Sequence, residues 1–461
     1  MTSEVVAKTG MDKSARSLLW LFLALLYYAF LLSVAGGLFG PVQHGLVFND
    51  MLIHLLRARV DVDPASIGDE GYVRDGVTYA YFGIGPALVR LIVLPLPGFA
   101  ATDFTRVACL AAVSLMALFK LLTAMTIARR VGLERAPALL SLMLAAILLS
   151  GAQIEFLRPS IFQEAALWAD ACAATFVYLV VRGWLDGFSL RLLTGMAVAA
   201  GLCLLVRVST ALGLYLVFGA LSLLVWWRQR RFHVLPVLIL IVCVALTAAI
   251  NTARWGNPLV FVDLSKALIL ARFPDRLSHL HEYGEFNPIR IAYGLSYYLA
   301  PFWALSDGAG QLWWQAFQER VTDSAELPPA SFFISDPFWV GLAVFGLITL
   351  LNPDRLPKRE WLLAALPGLL VPIALILMLI DLTFRYRLEF YPFLELCAFA
   401  GFARLLAVSS RRAELWFGAG AIGGIAAAQA MWVLYMLSPF GPAAMVLDGL
   451  PVGTFYRSLF P

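Results

Sequence analysis

The chain has 461 residues, of which 61% are hydrophobic and 14% are charged, and its mean hydropathy is +0.81. Soluble globular domains carry about a quarter of charged residues, so this composition excludes an ordinary soluble fold. The net charge of +4 is small, and no basic tract suited to nucleic acid is present. The five cysteines fall in apolar runs without the spacing of a zinc site or of a secreted disulfide framework, and we interpret them as packing residues.

Apolar runs long enough to cross a membrane recur along the chain. About 20 apolar residues cover the roughly 30 Å of a bilayer core. The first run, from Leu18 to about Phe39, is too long for a signal-peptide core and lacks a convincing cleavage site, so we expect a retained helix. Further runs lie at about 104–128, 136–153, 163–181, 190–206, 209–227, 233–252, 334–351, 361–380, 388–407 and 415–437. The sequence therefore predicts an all-α polytopic membrane protein with about 11 transmembrane helices.

Basic residues mark every second turn between these runs. The marked turns carry Arg129, Arg130 and Arg135, then Arg182 and Arg191, then Arg228, Arg230 and Arg231, then Arg355, Lys358 and Arg359, and finally Arg404, Arg411 and Arg412. Because Lys and Arg are enriched in cytoplasmic loops, this alternation predicts a cytoplasmic N-terminus and an outer C-terminus. We expect one membrane domain over residues 1–461, with outer loops at 41–103 and 253–333 that carry short interfacial helices, one of them at 290–304.

The first outer loop is rich in carboxylates in a chain otherwise poor in charge. Its acidic residues are Asp50, Asp61, Asp63, Asp69, Glu70 and Asp75. The apolar spacing at 49–56 predicts a short helix along the membrane surface, with Asp50 near its N-terminus, where the helix dipole favours a carboxylate. A plain helix cap is the alternative role of Asp50.

The second half of this loop is aromatic. An Asp-Gly pair at 75–76 predicts a tight turn that leads into an extended strip containing Tyr79, Tyr81 and Phe82. These rings could stack on a sugar or lie in the headgroup layer. The stretch that follows, 83–97, is apolar but broken by prolines, which predicts a re-entrant or interfacial helix able to floor a pocket.

Several stretches of the chain resemble the GT-C superfamily of integral-membrane glycosyltransferases, most closely its bacterial members that use polyprenyl-phosphate sugars. The resemblance lies in the cytoplasmic start of the first helix, the acidic outer loop, the surface helix and the run YAYFGIGPALVRLIVLPL. Four further runs share it, namely EFLRPSIFQEAALWADA, RVSTALGLYL, NTARWGNPLVF and FRYRLEFYPFLEL. The resemblance implies a GT-C-like enzyme of the bacterial inner membrane. Such an enzyme moves a sugar from a polyprenyl-phosphate donor to an envelope glycan, lipid or protein acceptor on the outer face, usually with inversion.

The resemblance also implies a catalytic base. In that superfamily an acidic residue of the first outer loop commonly deprotonates the acceptor hydroxyl, and Asp50 is the match by position, with Asp69 and Glu70 as neighbouring candidates. The chemistry calls for such a group, because a sugar hydroxyl is a poor nucleophile and a general base contributes roughly 10²- to 10⁴-fold.

The leaving lipid phosphate needs cations, and arginine binds phosphate bidentately while staying charged. Our main candidates for the donor phosphate are Arg158, Arg207, Arg385 and Arg387, and Arg254 and Arg272 are further arginines on or near the outer face. Arg207 follows an apolar run, where an ionisable group is a functional candidate by default. Its alternative role is snorkelling or an ion pair with Glu164 or Asp170. For Arg385 and Arg387 the alternative is simple anchoring at the membrane interface.

The candidates for contacts with the acceptor or the sugar are Tyr79, Tyr81 and Glu155. Some superfamily members bind a divalent metal through an acidic residue in the second outer turn, but their paired acidic motif is absent here. We therefore expect metal-independent catalysis and assign no metal ligand or firm cofactor. If Mg²⁺ or Mn²⁺ takes part, Asp69 and Glu70 would supply the hard oxygen ligands that these ions prefer.

A transporter or flippase of a lipid-linked sugar is the main alternative. Ionisable residues in predicted helices would line its pathway: Lys120, Glu164, Asp170, Arg207, Glu389 and Glu395. Many transporters have paired halves with matching broken helices, and this sequence shows none. A non-catalytic subunit of an envelope-assembly complex is a third interpretation. A transferase should depend on a first-loop carboxylate, whereas a transporter should depend on the groups within the helices.

Overall fold

The computed structural model describes Leu19 and residues 22–33, 36–131, 137–149, 151–269, 274–300, 320–322, 324–325, 331–408 and 410–437, apart from the side chains at 153–155, 274–276, 324–325 and 434–437. Helices dominate this part of the chain. In chain order the elements are α1 (Phe22–Ser33), α2 (Val47–Leu55), α3 (Pro64–Ile67), β1 (Tyr72–Arg74), β2 (Val77–Tyr79), α4 (Gly85–Val89), α5 (Thr105–Val131), α6 (Pro137–Leu148), α7 (Ile161–Asp186), α8 (Leu190–Leu204), α9 (Val208–Gln229), α10 (Val234–Trp255), α11 (Pro274–Tyr283), α12 (Ile291–Leu299), β3 (Ser324–Ala325), α13 (Phe332–Ser335), α14 (Pro337–Leu351), α15 (Glu360–Met378), β4 (Asp381–Leu382), α16 (Tyr391–Val408) and α17 (Arg411–Leu437).

Every apolar run that the sequence marks as a span contains a helix. Seven helices are long and apolar enough to cross a membrane, by length and composition: α5, α7, α9, α10, α15, α16 and α17. Four shorter apolar helices, α1, α6, α8 and α14, fall on the remaining runs. The all-α membrane fold is thus confirmed. The count of eleven spans stays a prediction, because these four helices have 10–17 residues.

The long helices pack in pairs, and small residues let two of these pairs come close. α14 packs against α16, and α9 packs against α15. A Cβ on Gly346 of α14 would lie 1.7 Å from the carbonyl oxygen of Cys397 on α16. A Cβ on Gly213 of α9 would lie 2.8 Å from the carbonyl oxygen of Gly368 on α15. Such close approach of helix backbones is the usual role of small residues in membrane bundles.

The two ends of the bundle differ in character. At one end lie short basic turns, which contact one another: Trp184 donates to the carbonyl oxygen of Pro357, and Arg228 pairs with Glu360. At the other end lie the two long polar segments, residues 41–103 and 253–333. Their described parts contact the ends of α10 and α15. There Trp255 packs against aromatic rings of the first segment. The long segments are thus gathered over one end of the bundle.

The first long segment forms a small folded unit. Asp75 and Gly76, with φ of +53° and +78°, close a two-residue turn between β1 and β2, which confirms the predicted Asp-Gly turn. The predicted helix at 49–56 is α2. Its apolar face is buried in a small core with Phe82 and Ile84 instead of lying free along a membrane surface. The short helix expected after Gly83 is α4.

The second long segment is fastened to the end of α15. Its helix α12 confirms the helix expected at 290–304, of which residues 301–304 lie outside the described part, and it packs on α15. Asn287 donates its backbone N–H to the carbonyl oxygen of Met378 over 2.8 Å. Phe286 and Leu379 form an antiparallel bridge beside this bond. These contacts fix the position of residues 284–287.

Candidate active site

A cavity lies at the end of the bundle that carries the long segments. It is formed by the first residues of α7 and α9, the last residues of α10 and α15, and the stretches 81–84, 261–262, 285–286 and 385–386. It holds about 1090 Å³ of empty space, its open mouth included. It is a concave site, open on one side, at the end of the bundle, which is a common place for a ligand to bind.

One side of the cavity is apolar and made by the helix ends. Leu375, Ile376 and Leu379 line it from α15 and the residues just after, and Thr247 and Ile250 line it from α10. Side chains of this kind suit an apolar ligand portion, because the burial of apolar surface is favourable by about 25 cal/mol per Å².

Three arginines line the same cavity: Arg207, Arg254 and Arg385. Arg207 caps the start of α9, and its Nε donates to Glu389 and, over 3.2 Å, to the hydroxyl of Ser209. Its guanidinium lies 4.9 Å from the ring centre of Tyr386. Within the described part of the chain, its terminal nitrogens have no hydrogen-bond acceptor, so they are available to a ligand.

Glu389 holds Arg207 in place. One of its oxygens accepts from Arg207 and from Ser209 over 2.6 Å, and the other accepts from the hydroxyl of Thr210 over 2.7 Å. The ion pair suggested from sequence, with Glu164 or Asp170, is therefore not the one formed. Glu164 instead accepts hydrogen bonds from the two terminal nitrogens of Arg90, over 2.8 and 2.7 Å.

Arg385 and Arg254 complete the set of cations. Arg385 belongs to the 3-10 segment Phe384–Glu389 and lies 4.6 Å from the ring centre of Phe162 and 5.1 Å from that of Tyr386. Arg254, in the last turn of α10, is buried and donates to the carbonyl oxygen of Phe82 over 2.8 Å. Its Nε has no acceptor among the described residues. Arg254 was among the arginines that the sequence predicts on or near the outer face, and the structure brings it to the cavity, whereas Arg272 lies outside the described residues.

Two tyrosines, Tyr81 and Tyr386, face the cavity beside these cations. Burial raises the pKa of both phenols, so both are neutral hydrogen-bond donors at physiological pH. Tyr79, the other tyrosine predicted to contact a sugar, packs against Trp255 with ring centres 5.8 Å apart and does not line the cavity.

Glu285 is the carboxylate that lines the cavity. It is half-buried, and burial together with the nearby charge of Asp381 raises the pKa of its carboxyl to about 7. No local pattern singles it out, because Glu282 and Glu285 look alike in a polar stretch and only the fold brings Glu285 to the helix ends.

Asp50, the first base candidate, lies outside the cavity lining. Its carboxylate accepts from the backbone N–H of Asp63 over 2.6 Å and from the hydroxyl of Ser66 over 3.2 Å, and it lies 3.5 Å from Nε2 of His54. Asp50 thus joins α2 to the start of α3. Asp50 does not cap α2, whose N-cap is Leu46, so the capping alternative is wrong and its bonds fix the loop that follows α2.

The other first-loop candidates sit in the 3-10 turn Gly68–Glu70. Asp69 is exposed, whereas Glu70 is half-buried and close enough to the Tyr72 and Tyr81 phenols to contribute to their raised pKa. Glu70 is therefore the first-loop candidate beside the aromatic wall. No three His, Cys, Asp or Glu side chains within the described part form a group that could hold a metal ion.

Arg158 and Arg387, two further candidates for the phosphate, are not among the residues that line the cavity. Arg158 is half-buried just before α7. Arg387 is buried beside Asp336, with N–O distance 3.6 Å, and lies 4.5 Å from the ring centre of Phe332. Glu155 belongs to the 3-10 segment Gly151–Leu157, but its side chain lies outside the described residues.

The helix residues that a transporter would use form a separate buried cluster. Lys120 Nζ lies 2.5 Å from Glu395 and 3.6 Å from Asp170. All three side chains are almost wholly buried, on α5, α16 and α7 respectively. This cluster ties three helices together in the interior of the bundle.

Comparison with solved structures finds a distant likeness in fold. No protein family matches the chain, and no curated protein matches its sequence. Among solved structures, the chain is similar to the crystal structure of ArnT from Cupriavidus metallidurans bound to undecaprenyl phosphate, with 15% identity and a TM-score of 0.35 over 89% of this chain and 78% of that one. The likeness is to a protein that binds a polyprenyl phosphate. A TM-score of 0.35 describes a distant likeness, so the function proposed next depends on the contacts of this chain.

Proposed function

We propose that this protein is a membrane glycosyltransferase that takes its sugar from a polyprenyl-phosphate donor. The observation that carries this proposal is the convergence of Arg207, Arg254 and Arg385 on one cavity whose wall at the helix ends is apolar. A lipid phosphate combines these two chemistries, since it has an anionic head and an apolar chain. Guanidinium groups bind phosphate oxygens through strong, charge-assisted hydrogen bonds.

The arrangement suits the departure of a lipid phosphate. When an acceptor oxygen attacks the anomeric carbon, the bond from that carbon to the phosphate oxygen breaks and its electron pair leaves with the phosphate. The cations then stabilise the developing charge, which is the kind of preorganised electrostatic effect that enzymes use most. Tyr81 and Tyr386 would donate hydrogen bonds to, or stack on, the sugar.

Further features of the proposal come from the sequence. The basic turns at the opposite end of the bundle support a position of the cavity on the outer face of a bacterial inner membrane. The resemblance to polyprenyl-phosphate-dependent enzymes implies inversion at the sugar and an envelope glycan, lipid or protein as acceptor. It also implies a first-loop carboxylate as base, for which Glu70 has the better position and Asp50 the better sequence match, and a base on the second long segment is the alternative. We propose transfer without a metal ion.

The test is transfer of radiolabelled sugar by the purified protein in nanodiscs. Undecaprenyl-phosphate hexoses and pentoses serve as donors and a bacterial envelope extract as the source of acceptors. We expect product with one donor class in the wild type and its loss in Arg385→Gln. Arg59→Gln, an exposed first-loop arginine outside the cavity, should keep full turnover.

Two results would contradict the proposal. Full turnover in Arg385→Gln would show that the cavity takes no part in the reaction. If no donor yields product and labelled lipid crosses the membrane of proteoliposomes, the protein is a transporter and not a transferase. Such transport should depend on Lys120, Asp170 and Glu395 and not on the cavity arginines.

A further inference from the structure

We propose that Glu285 accepts the proton of the incoming acceptor hydroxyl, and that Arg290 is the positioning residue that holds Glu285 at the cavity. This inference deepens the proposed function and rests on it. It assigns the base to the second long segment instead of the first.

Glu285 lies where the reaction would take place. It is a lining residue of the cavity that also contains Arg207, Arg254 and Arg385. Its carboxylate accepts no hydrogen bond from any described residue, so its oxygens can receive a proton. The carboxylate of Asp50, in contrast, is bonded to the backbone N–H of Asp63 and to Ser66.

A buried arginine, Arg290, binds the backbone around Glu285. Arg290 is 0% exposed. Its Nη1 donates to the carbonyl oxygens of Glu285 and Met378, each over 3.0 Å, its Nη2 donates to that of Gly284 over 2.8 Å, and its Nε donates to that of Val321 over 2.6 Å. A buried guanidinium is costly unless its donors are satisfied, and here four carbonyl groups satisfy it.

These bonds join three separate parts of the chain. They link the turn at Gly284, whose φ is +70°, to the end of α15 and to the stretch at Val321. The backbone bond from Asn287 to Met378 and the bridge between Phe286 and Leu379 add to the same junction. Because Leu379 also lines the cavity, Glu285 is fixed relative to the cavity wall.

The electrostatic surroundings suit a general base. Burial, and secondarily the like charge of Asp381, raise the pKa of Glu285 to about 7. A base works best when its pKa lies near the operating pH. The charged group that acts on its carboxyl is Asp381 on β4, Arg290 binds its backbone carbonyl, and the arginines with the phenols of Tyr81 and Tyr386 line other parts of the same cavity.

The step balances in atoms and electrons. The acceptor oxygen forms a bond to the anomeric carbon, and the bond between that carbon and the phosphate oxygen breaks. The hydroxyl proton passes to a carboxylate oxygen of Glu285. The lipid phosphate leaves with the electron pair of the broken bond, and the protonated Glu285 later returns its proton to solvent.

The test compares Glu285→Gln with Glu282→Gln, an exposed carboxylate three residues earlier that lies outside the cavity lining. Binding of undecaprenyl phosphate and sugar transfer are measured on the same nanodisc preparations. We expect Glu285→Gln to bind the lipid within about threefold of wild type but to lose roughly 10²- to 10⁴-fold in turnover. Glu282→Gln should match wild type in both, and Glu285→Asp should recover part of the turnover.

The pH dependence provides a readout that a structural role would not change. The wild-type kcat/KM should rise with pH up to about 7 and then level off, because the carboxylate must be ionised to accept a proton. The residual kcat/KM of Glu285→Gln should not show this rise with pH. Arg290→Met should lower kcat while lipid binding persists, since it frees the backbone that carries Glu285.

The outcomes separate this inference from the proposed function. If the wild type transfers sugar and Glu285→Gln keeps full turnover, the base lies elsewhere although the enzyme is a transferase. If Glu285→Gln loses lipid binding and turnover together, Glu285 is a structural residue and the inference is overturned. If the wild type neither binds undecaprenyl phosphate nor transfers sugar, the proposed function fails and this inference fails with it.

Discussion

The interior of the protein and the cavity at the end of its bundle use the same charged residue types in different ways. In the interior, cations and carboxylates meet in pairs, as in Arg90 with Glu164 and Lys120 with Glu395. In the cavity, three guanidinium groups line one empty space, and the one that is paired with a carboxylate, Arg207, uses only its Nε for Glu389. There Arg254 has a buried Nε without an acceptor among the described residues.

The difference separates structural from functional charge. A buried ion pair satisfies itself, so removal of one partner leaves an uncompensated charge and costs stability. A cation that faces a cavity can pair with a bound ligand. Substitution of that cation therefore lowers the affinity for the ligand. A charged residue in the sequence of a membrane protein indicates function only when the fold leaves part of it unpaired.

The largest effect is expected from breaking an interior pair. Arg90→Met should destabilise the protein by about 3–5 kcal/mol, because Glu164 would remain buried without its cation. Thermal unfolding in detergent, followed by the yield of monodisperse protein, measures this effect. The double variant Arg90→Met with Glu164→Leu should recover much of the loss. A single variant as stable as wild type would show that the pair contributes nothing.

The next effect tests the cavity side of the comparison. Arg385→Gln should leave the unfolding temperature nearly unchanged but weaken binding of undecaprenyl phosphate by about 1.5–3 kcal/mol, the range for a hydrogen bond to a charged group. This corresponds to roughly 10- to 150-fold in Kd. Titration of the lipid into labelled protein measures it, with Arg59→Gln as control. Equal affinity in all three proteins would show that Arg385 does not bind the phosphate.

A smaller effect is expected from the like charge beside Glu285. Asp381→Asn should move the rising limb of kcat/KM to lower pH by roughly half a unit to one unit, since removal of a negative neighbour makes Glu285 easier to ionise. Burial remains, so the limb should stay above the ordinary range of a glutamate. A limb that keeps its position, or moves to higher pH, would contradict the electrostatic account.

The smallest effect is expected at Asp50. Asp50→Asn keeps an oxygen that can accept from Asp63 and Ser66, so stability should fall by about 1 kcal/mol or less and turnover should change little. Steady-state kinetics and thermal unfolding test this together. If turnover collapses while stability and lipid binding persist, the base belongs to the first loop, as the sequence resemblance implies.

The helical part of the fold could be predicted from sequence because it depends on local properties. Apolar runs gave the positions of α5, α7 and α10 within a few residues, and the Asp-Gly pair gave the turn between β1 and β2. The end of α6 was less accessible, since hydropathy does not show that this helix stops at Leu148 inside an apolar run that reaches 153.

The site was only partly accessible, because it depends on contacts between distant parts of the chain. Arg385 and Arg387 are equivalent in sequence, yet one faces the cavity and the other lies beside Asp336. Arg207 was recognised from its apolar setting, but its partner Glu389 lies 182 residues away. Glu285 is held at the cavity by bonds of Arg290 and Asn287 that reach Met378 and Val321, and no local pattern signals these contacts.

The most direct test of the central claim is to locate a bound lipid phosphate on the protein. An undecaprenyl phosphate analogue with a photoreactive diazirine in its first isoprene unit is bound in nanodiscs, irradiated and mapped by peptide mass spectrometry. The cavity predicts labelling at 204–209, 247–254 and 375–386, with strong reduction in Arg385→Gln. Labelling confined to other surfaces of the bundle, unchanged in that variant, would show that the lipid phosphate does not bind in this cavity.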